Sequence, residues 1–243
     1  MTFKDHFSDT SAAYLAHRPT YPVEIFEALH RRAPGVVWDC ACGNGQASVA
    51  LGGLYQKVFA TDASAEQIAH AVAHPRVAYS VGTAEDSGLE AASVDAVVVA
   101  QAAHWFDMGR FQREVRRVAR SGATVVLLGY RLFESLPEVD RMILELYRGP
   151  LAEHWPPERR HVESAYETLE FDFEPVSLGT FEMVAEWTVD QVLAYLGTWS
   201  GAKLMKRATG RDIVKELQEP LSRAWGDSMR RVRWPLIVKA GRL

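Results

Sequence analysis

The sequence has very few cysteines, the residues that cross-link small secreted folds and that most often hold structural zinc ions. Its 243 residues include two cysteines, Cys40 and Cys42, with one residue between them. That spacing is too short for a relaxed disulfide, and two thiols are too few for a structural zinc site. We therefore expect both cysteines to be small buried residues, and we expect no metal site.

Long apolar runs and an excess of positive charge are also missing. No stretch of about 18 apolar residues occurs, and residues 1–16 contain no apolar core of a signal peptide. The net charge of −4 provides no basic surface for nucleic acid. The cluster Arg113, Arg116, Arg117 and Arg120 indicates a solvated helix face. These absences predict a cytoplasmic protein without a membrane or nucleic-acid partner, and they leave the oligomeric state open.

What the sequence does contain is a regular alternation of short apolar runs and helical segments. Strands are predicted at 36–39, 58–62, 77–81, 94–100 and 124–130. Helices are predicted at 22–33, 46–54, 65–73 and 106–120. Strands that are apolar throughout and alternate with helices predict a parallel sheet covered on both faces.

The alternation stops after residue 131. Residues 132–172 carry helical patches without clear strands, and they predict an inserted helical cap. Two late extended segments, 176–187 and 230–239, could pair antiparallel at the edge of the sheet. We interpret residues 1–243 as a single domain.

The most informative segment joins the first predicted strand to the next helix. Asp39 ends the strand, Gly43 and Gly45 lie in a turn of small residues, and Gln46 begins the helix. Glycines let a backbone approach a ligand closely, and a helix N-terminus presents free N–H groups. This arrangement is typical of sites for a dinucleotide or for S-adenosylmethionine (SAM).

Two details favour SAM over a dinucleotide. The dinucleotide fingerprint ends in a third small residue that lets the helix pack on the strand, and Ser48 stands at that position. Asp39 would repel a diphosphate, whereas it would attract the ammonium group of SAM. A nicotinamide-dependent (NAD(P)) oxidoreductase stays as one alternative, and a SAM-binding protein without catalytic activity stays as another.

Acids also follow the second and third predicted strands. Asp62, followed by Ala63, ends the second strand, where an acid can accept hydrogen bonds from both ribose hydroxyls of an adenosine. An exposed loop aspartate is the alternative. Ala84 and Glu85 follow the third strand, where backbone groups and an acid could receive the adenine amino group.

Together these segments resemble the class I SAM-dependent methyltransferases. The central match is the run Asp39-x-Ala41-x-Gly43-x-Gly45, in which Ala41 replaces the glycine that the family most often has. Residues 14–22, 102–107 and 195–200 also resemble segments of the type 11 methyltransferase group, which includes trans-aconitate methyltransferase-like enzymes.

The resemblance implies a Rossmann-like α/β fold with a seven-stranded, mostly parallel sheet in the order 3-2-1-4-5-7-6 and helices on both faces. It implies SAM as the cofactor and S-adenosyl-L-homocysteine as its product. Residues 1–34 would cover the cofactor, with Tyr14 and Arg18 at its carboxylate, although Arg18 could instead be a surface residue. The full set of candidate cofactor-binding residues is Tyr14, Arg18, Asp39, Ala41, Gly43, Gly45, Gln46, Asp62, Ala63, Ala84, Glu85 and Gln101.

The methyl acceptor is expected beyond the ends of the fourth and fifth strands, because ligands of such sheets bind there. His104, with an ordinary pKa of about 6.5, could be a catalytic base or an anion donor, or it could merely pack or cap. Arg131 could hold an anionic acceptor in a bidentate pair, or it could lie on the surface. Trp105 and Trp199 could line the pocket or belong to the core. The candidate substrate residues are His104, Trp105, Tyr130, Arg131 and Trp199.

The residues after the fourth strand disfavour nucleobase methylation. Residues 101–105 read Gln-Ala-Ala-His-Trp, which lacks both the N/D/S-P-P-Y/F signature of nitrogen methylation and a nucleophilic cysteine. We therefore expect a methyltransferase for a small molecule, directed to the oxygen of a carboxylate or a hydroxyl group. A carboxylate is already a nucleophile, whereas a neutral hydroxyl would usually require a base.

Overall fold

The computed structural model describes residues 19–243. In this part of the chain the strands are β1 Val36–Cys40, β2 Lys57–Asp62, β3 Val77–Val81, β4 Val94–Ala100, β5 Ala119–Tyr130, β6 Glu174–Val176, β7 Glu182–Trp187 and β8 Arg230–Arg242. The helices are α1 Val23–Arg32, α2 Gln46–Leu54, α3 Ala65–Ala69, α4 Met108–Val118, α5 Pro137–Arg148, α6 Arg159–Glu163, α7 Val189–Gly197, α8 Ser200–Thr209 and α9 Ile213–Trp225. None of these helices is both long and apolar enough to cross a bilayer.

The strands form a mostly parallel sheet in the order β3-β2-β1-β4-β5-β8-β6, with β7 also paired to β8. The predicted fold and its strand order are confirmed, with one difference. The predicted sixth strand is two short strands, because Gly179 turns the chain between them with a φ of 104°. Both pair antiparallel with β8, which is long enough to accept β6 at residues 240–242 and β7 at residues 230–235.

Helices cover both faces of the parallel part of the sheet. Successive side chains of a strand point to opposite faces, so each strand contributes to two apolar clusters. Val37 and Val98 pack with α1 and α2 on one face. Trp38 and Val97 pack with α4 on the other. This two-sided burial explains why the central strands are apolar throughout.

A further apolar cluster lies where the chain leaves the alternating pattern. It joins helices α5, α7, α8 and α9 to β7 and the first half of β8. Tyr195 is its centre, with its ring centroid 5.5 Å from that of Trp187 and 5.7 Å from that of Trp234. Tyr130, at the end of β5, belongs to the same cluster and so links it to the sheet.

Several predicted element boundaries were wrong by a few residues. Helix α4 begins at Met108 rather than 106, because Asp107 caps it by accepting a hydrogen bond from the Arg110 N–H at 3.0 Å. Helix α3 ends at Ala69 rather than 73. Pro22 precedes α1 in an extended conformation instead of occupying its first turn.

The structure also shows where the arginine cluster and the two cysteines lie. Arg116 and Arg117 lie on α4 and form ion pairs with Asp172 and Glu114, whereas Arg120 lies in β5, outside the expected helix, and forms an ion pair with Asp95. Cys40 is buried and Cys42 is half-buried, and both are free thiols.

Glu114 anchors α4 to the loop that follows β3. Its carboxylate accepts hydrogen bonds from the N–H and the hydroxyl of Ser87 and from the guanidinium of Arg117. These bonds, with Arg117 the largest cause, lower the pKa of Glu114 to about 2.

Replacing Glu114 with alanine should lower the free energy of unfolding by about 2 kcal/mol at pH 7, because a buried hydroxyl loses its partner along with the ion pair. The depressed pKa means that this contribution is present above pH 4.5 and is lost as the pH falls towards 2. Urea unfolding at several pH values measures both effects. Glu219→Ala removes an exposed ion pair of α9 and should cost less than about 0.5 kcal/mol. Equal losses in the two variants would contradict this role of Glu114.

Candidate active site

A cavity of about 670 Å³ lies at the carboxyl ends of the parallel strands. The loops after β1, β2, β3 and β4 line one half of it. Residues 155–159 and 195–200, which belong to the helical part of the chain, line the other half. Pockets that hold small ligands typically measure about 300–1,000 Å³, so the cavity is large enough for a ligand-binding site.

The loop after β1 curls under the cavity through three positive φ angles. Ala41 has a φ of 56°, Gly43 of 56° and Gly45 of 90°. A Cβ at position 45 would overlap the hydroxyl of Tyr79, so this position requires glycine. Ala41 adopts the left-handed conformation at a steric cost that glycine would avoid. The loop ends at Gln46, where α2 begins and lines the cavity.

Asp39 lies behind this loop and not on the cavity wall. It is fully buried; one oxygen accepts a hydrogen bond of 2.5 Å from the Ser48 hydroxyl, and Oδ1 has no partner among the described residues. Burial, assisted by the charge of Asp62 and opposed by the bond from Ser48, raises the pKa of Asp39 to about 7. Ionised Asp39 is therefore unstable until a positive charge comes near it.

Asp62 ties the loop after β1 to the loop after β2. Its Oδ2 accepts a hydrogen bond from the Gly43 N–H and its Oδ1 accepts one from the Ser64 N–H, both at 2.8 Å. Ser64 in turn caps α3 by accepting a hydrogen bond from the Gln67 N–H. Asp62 also lines the cavity, so its carboxylate borders the space that a ligand would occupy.

The loop after β3 forms the next part of the wall. Ala84 and Glu85 line the cavity, and Glu85 accepts a hydrogen bond of 3.0 Å from the N–H of Asp107. Phe106 and Arg110 border the same region. The hydrogen bond fixes the loop relative to the start of α4, so this side of the cavity is built before any ligand arrives.

Gln101 joins the ends of β4 and β5. Its φ is 57°, and its side-chain amide exchanges two hydrogen bonds with the backbone of Tyr130, at 2.9 and 3.2 Å. Gln101 lines the cavity, but its amide group is already hydrogen-bonded to the backbone of Tyr130.

His104 lies in a short turn after β4 and is buried. Its Nδ1 has no hydrogen-bond partner among the described residues, and its ring stacks at 6.4 Å on Tyr166. Burial is the main cause that lowers the pKa of His104 to about 3, and the positive charges of Arg159 and His161 add to it. The imidazole therefore stays neutral near pH 7, where it is a weak base.

The helical half of the cavity places aromatic rings opposite the strand ends. Trp155 and Trp199 lie with ring centroids 5.6 Å apart, and Tyr195 lies 5.9 Å from Trp199. All three line the cavity, and so does Arg159 at the start of α6. Arg159 carries no motif that marks it in the sequence, because its position depends on how the helical segment folds back over the sheet.

Most of the residues singled out from the sequence meet at this cavity. Those that line it are Ala41, Gly43, Gln46, Asp62, Ala63, Ala84, Glu85, Gln101, His104, Trp105, Tyr130 and Trp199. Asp39 and Gly45 support the loop from behind. Arg131 is exposed and does not line the cavity. Tyr14 and Arg18 lie outside the described residues.

Replacing Asp39 with asparagine should raise the free energy of unfolding of the ligand-free protein by about 2 kcal/mol at pH 8. Removing a carboxylate whose pKa is raised by about three units adds about 4 kcal/mol to the free energy of unfolding at this pH. Burying the amide group of asparagine without a full set of hydrogen bonds lowers it by about 2 kcal/mol. The raised pKa means that the wild type gains stability as the pH falls from about 7 to about 4, so the advantage of the variant should disappear there.

Urea unfolding of both proteins at pH 8 and pH 4 measures this difference. Asp172→Asn, at an exposed carboxylate, is the matched control and should change little at either pH. A variant less stable than the wild type at pH 8 would show that the buried carboxylate is not the strained group.

Comparison with known proteins agrees with this geometry. A family model described as a methyltransferase domain matches residues 38–127. A protein of Dictyostelium discoideum that is named as a methyltransferase is 29% identical over 236 residues, which cover 93% of this chain and 90% of the relative. A Mycobacterium tuberculosis protein with the same description is 37% identical over 123 residues, about half of each chain (50% and 51%).

A solved structure gives the strongest support. It is a chain from Anaeromyxobacter dehalogenans described as a type II methyltransferase, with 47% identity, a TM-score of 0.87, and coverage of 93% of this chain and 97% of that one. The nicotinamide-dependent alternative is thereby set aside. The chain belongs to the class I SAM-dependent methyltransferases.

Proposed function

We propose that this methyltransferase transfers the methyl group of SAM to a carboxylate oxygen of a small molecule. The loop 41–46 would hold the amino-acid end of SAM, Asp62 the ribose, and the segment Ala84–Glu85 the adenine. When bound, SAM supplies an electrophilic methyl group on a positively charged sulfur.

The residues at the glycine loop fit this cofactor. Gly43 adds no side chain to the cavity wall, Gly45 leaves room for the Tyr79 hydroxyl behind the loop, and Asp62 lines the cavity. Within residues 19–243, one oxygen of Asp39 has no hydrogen-bond partner, and the pKa of this carboxyl group is raised. A cation above the loop would stabilise its ionised form, so the ammonium and sulfonium charges of SAM supply what Asp39 lacks.

The burial of His104 is the observation that carries the choice of acceptor, because burial disfavours the protonated imidazole and lowers its pKa. A hydroxyl acceptor would need a base whose pKa lies near the working pH, and a group with a pKa of about 3 is far from it. A carboxylate is already ionised at neutral pH and needs no proton removed. Catalysis then consists of placing the carboxylate in line with the methyl group and excluding water.

The shape of the cavity supports a small acceptor. Trp155, Tyr195 and Trp199 close the half that lies opposite the cofactor loops. Trp199 and Tyr195 are almost fully buried, and Trp155 donates a hydrogen bond of 3.1 Å from its indole to the Tyr147 carbonyl. A wall of fixed aromatic rings suits a compact molecule better than a protein or nucleic-acid segment.

Asp62→Ala should weaken the binding of S-adenosyl-L-homocysteine about a hundredfold, because one or two charge-assisted hydrogen bonds are worth about 1.5–3 kcal/mol each. Isothermal titration calorimetry measures the change. Asp86→Ala removes an exposed carboxylate nearby and should leave the affinity unchanged. Retained affinity in Asp62→Ala would refute the ribose assignment.

A panel of matched carboxylic acids, alcohols and amines tests the reaction. We expect the acids to be turned over and the product to be a methyl ester that mild base hydrolyses. Release of S-adenosyl-L-homocysteine and mass spectrometry of the product measure this. At saturating SAM and acid, kcat should stay constant between about pH 6 and 9, because neither acceptor nor His104 titrates there. Preference for alcohols or amines would overturn the proposal.

A further inference from the structure

Arg159 lines the half of the cavity that residues 155–159 and 195–200 form, and several contacts fix its side chain. Its Nε donates a hydrogen bond of 2.9 Å to the hydroxyl of Tyr147, and that hydroxyl donates one of 2.5 Å to Glu163. Burial is the main cause that raises the pKa of the Tyr147 hydroxyl to about 12, so this hydroxyl stays protonated at neutral pH. The chain of bonds thus fixes the guanidinium through its Nε side.

Aromatic faces support the same guanidinium. Its central carbon lies 5.5 Å from the ring centroid of Tyr147 and 5.1 Å from that of Trp155, within the range of cation–π contacts. Trp155 itself fits over Gly201, where an added Cβ would come within 3.0 Å of the indole ring. Arg159 is therefore held by contacts that leave its outer edge towards the cavity.

The terminal nitrogens of Arg159 have no hydrogen bond or ion pair with another residue in the described part of the chain, 19–243. Glu158, its neighbour, lines the cavity as well and does not pair with it. Arg159 is half-buried at the cavity wall. A guanidinium in such a position can bind an anion, and a carboxylate matches its planar fork. A ligand of negative charge would therefore complete the contacts that Arg159 makes within the described residues.

We propose that Arg159 binds the acceptor carboxylate, and that the acceptor is an acid with a flat, apolar body that lies against Trp155, Trp199 and Tyr195. This inference rests on the proposed function and adds the residue and the substrate class. Arg159 replaces Arg131, which is exposed, as the cation of the acceptor site.

The arrangement accounts for the atoms of the reaction. One carboxylate oxygen accepts a hydrogen bond from an Nη of Arg159, and the other oxygen forms the new bond to the methyl carbon. The carbon–sulfur bond breaks and its electron pair stays on sulfur, so a neutral ester and a thioether result. No proton is transferred, and the neutral His104 is not required as a base.

Binding and turnover of model acids test the proposal in the full-length protein. The probes are benzoate, phenylacetate and cinnamate, with butyrate and hexanoate as aliphatic acids of the same charge. Binding is measured by calorimetry on protein saturated with S-adenosyl-L-homocysteine, and turnover by SAM consumption. The variants are Arg159→Gln, Arg159→Lys, and, as the control, Arg160→Gln at an exposed arginine of the same helix that does not line the cavity.

We expect at least one aryl acid to bind about tenfold or more tightly than the aliphatic acids. Arg159→Gln should weaken that acid about a hundredfold, whereas the affinity for S-adenosyl-L-homocysteine should change less than twofold. Arg159→Lys should recover part of the loss, because it restores the charge without the fork. Arg160→Gln should not weaken binding of the acid, and Trp155→Phe should reduce the preference for aryl acids.

The outcomes separate the two proposals. If the wild type methylates acids and Arg159→Gln does so equally well, the role of Arg159 is wrong and carboxylate methylation stands. If the wild type methylates alcohols or amines but no acid, both proposals are wrong. If no acid binds to the wild-type protein loaded with S-adenosyl-L-homocysteine, the substrate class proposed here is also wrong. Thermal unfolding of each variant shows whether a lost affinity reflects a lost fold.

Discussion

One carboxylate holds the two loops on which the cofactor half of the cavity depends. Asp62 accepts the N–H groups of Gly43 and Ser64 at 2.8 Å, and these residues belong to the loops after β1 and β2. The bond to Gly43 stabilises a backbone of positive φ that would otherwise be one of several conformations. Because Asp62 also lines the cavity, the residue that holds the two loops together borders the space for a ligand.

The loop is completed at a cost in stability that a ligand can offset. Asp39 is buried, with one oxygen bonded to Ser48 and the other without a partner in the described residues. A solvated position would be more stable for a carboxylate, and the raised pKa expresses that difference. Functional sites commonly keep such strain because the surrounding fold holds it in place. In the binding mode that we propose, the positive charges of SAM would stabilise the ionised form of Asp39.

The sequence predicted the fold and the cofactor loop because both depend on local patterns. Gly43 and Gly45 are visible as a motif, and apolar strands alternating with helices predict the parallel sheet. Ser48 counted only as a mismatch to the dinucleotide fingerprint, since its bond to Asp39 spans a strand end and a helix. Arg159 was missed, and the exposed Arg131 was chosen, because the position of a cation in the helical segment is set by tertiary packing.

The cofactor loop was predictable and Arg159 was not, because the two halves of the cavity are built differently. The cofactor half comes from consecutive strand ends, whose geometry the sheet imposes, whereas Tyr147, Trp155, Arg159 and Glu163 form a unit within residues 147–163. That unit can change its side chains without moving the glycine loop. His104 lies between the halves, and the field of Arg159 helps to keep it neutral. A protonated imidazole would repel both Arg159 and the sulfonium of SAM, so a neutral His104 is compatible with the binding mode that we propose.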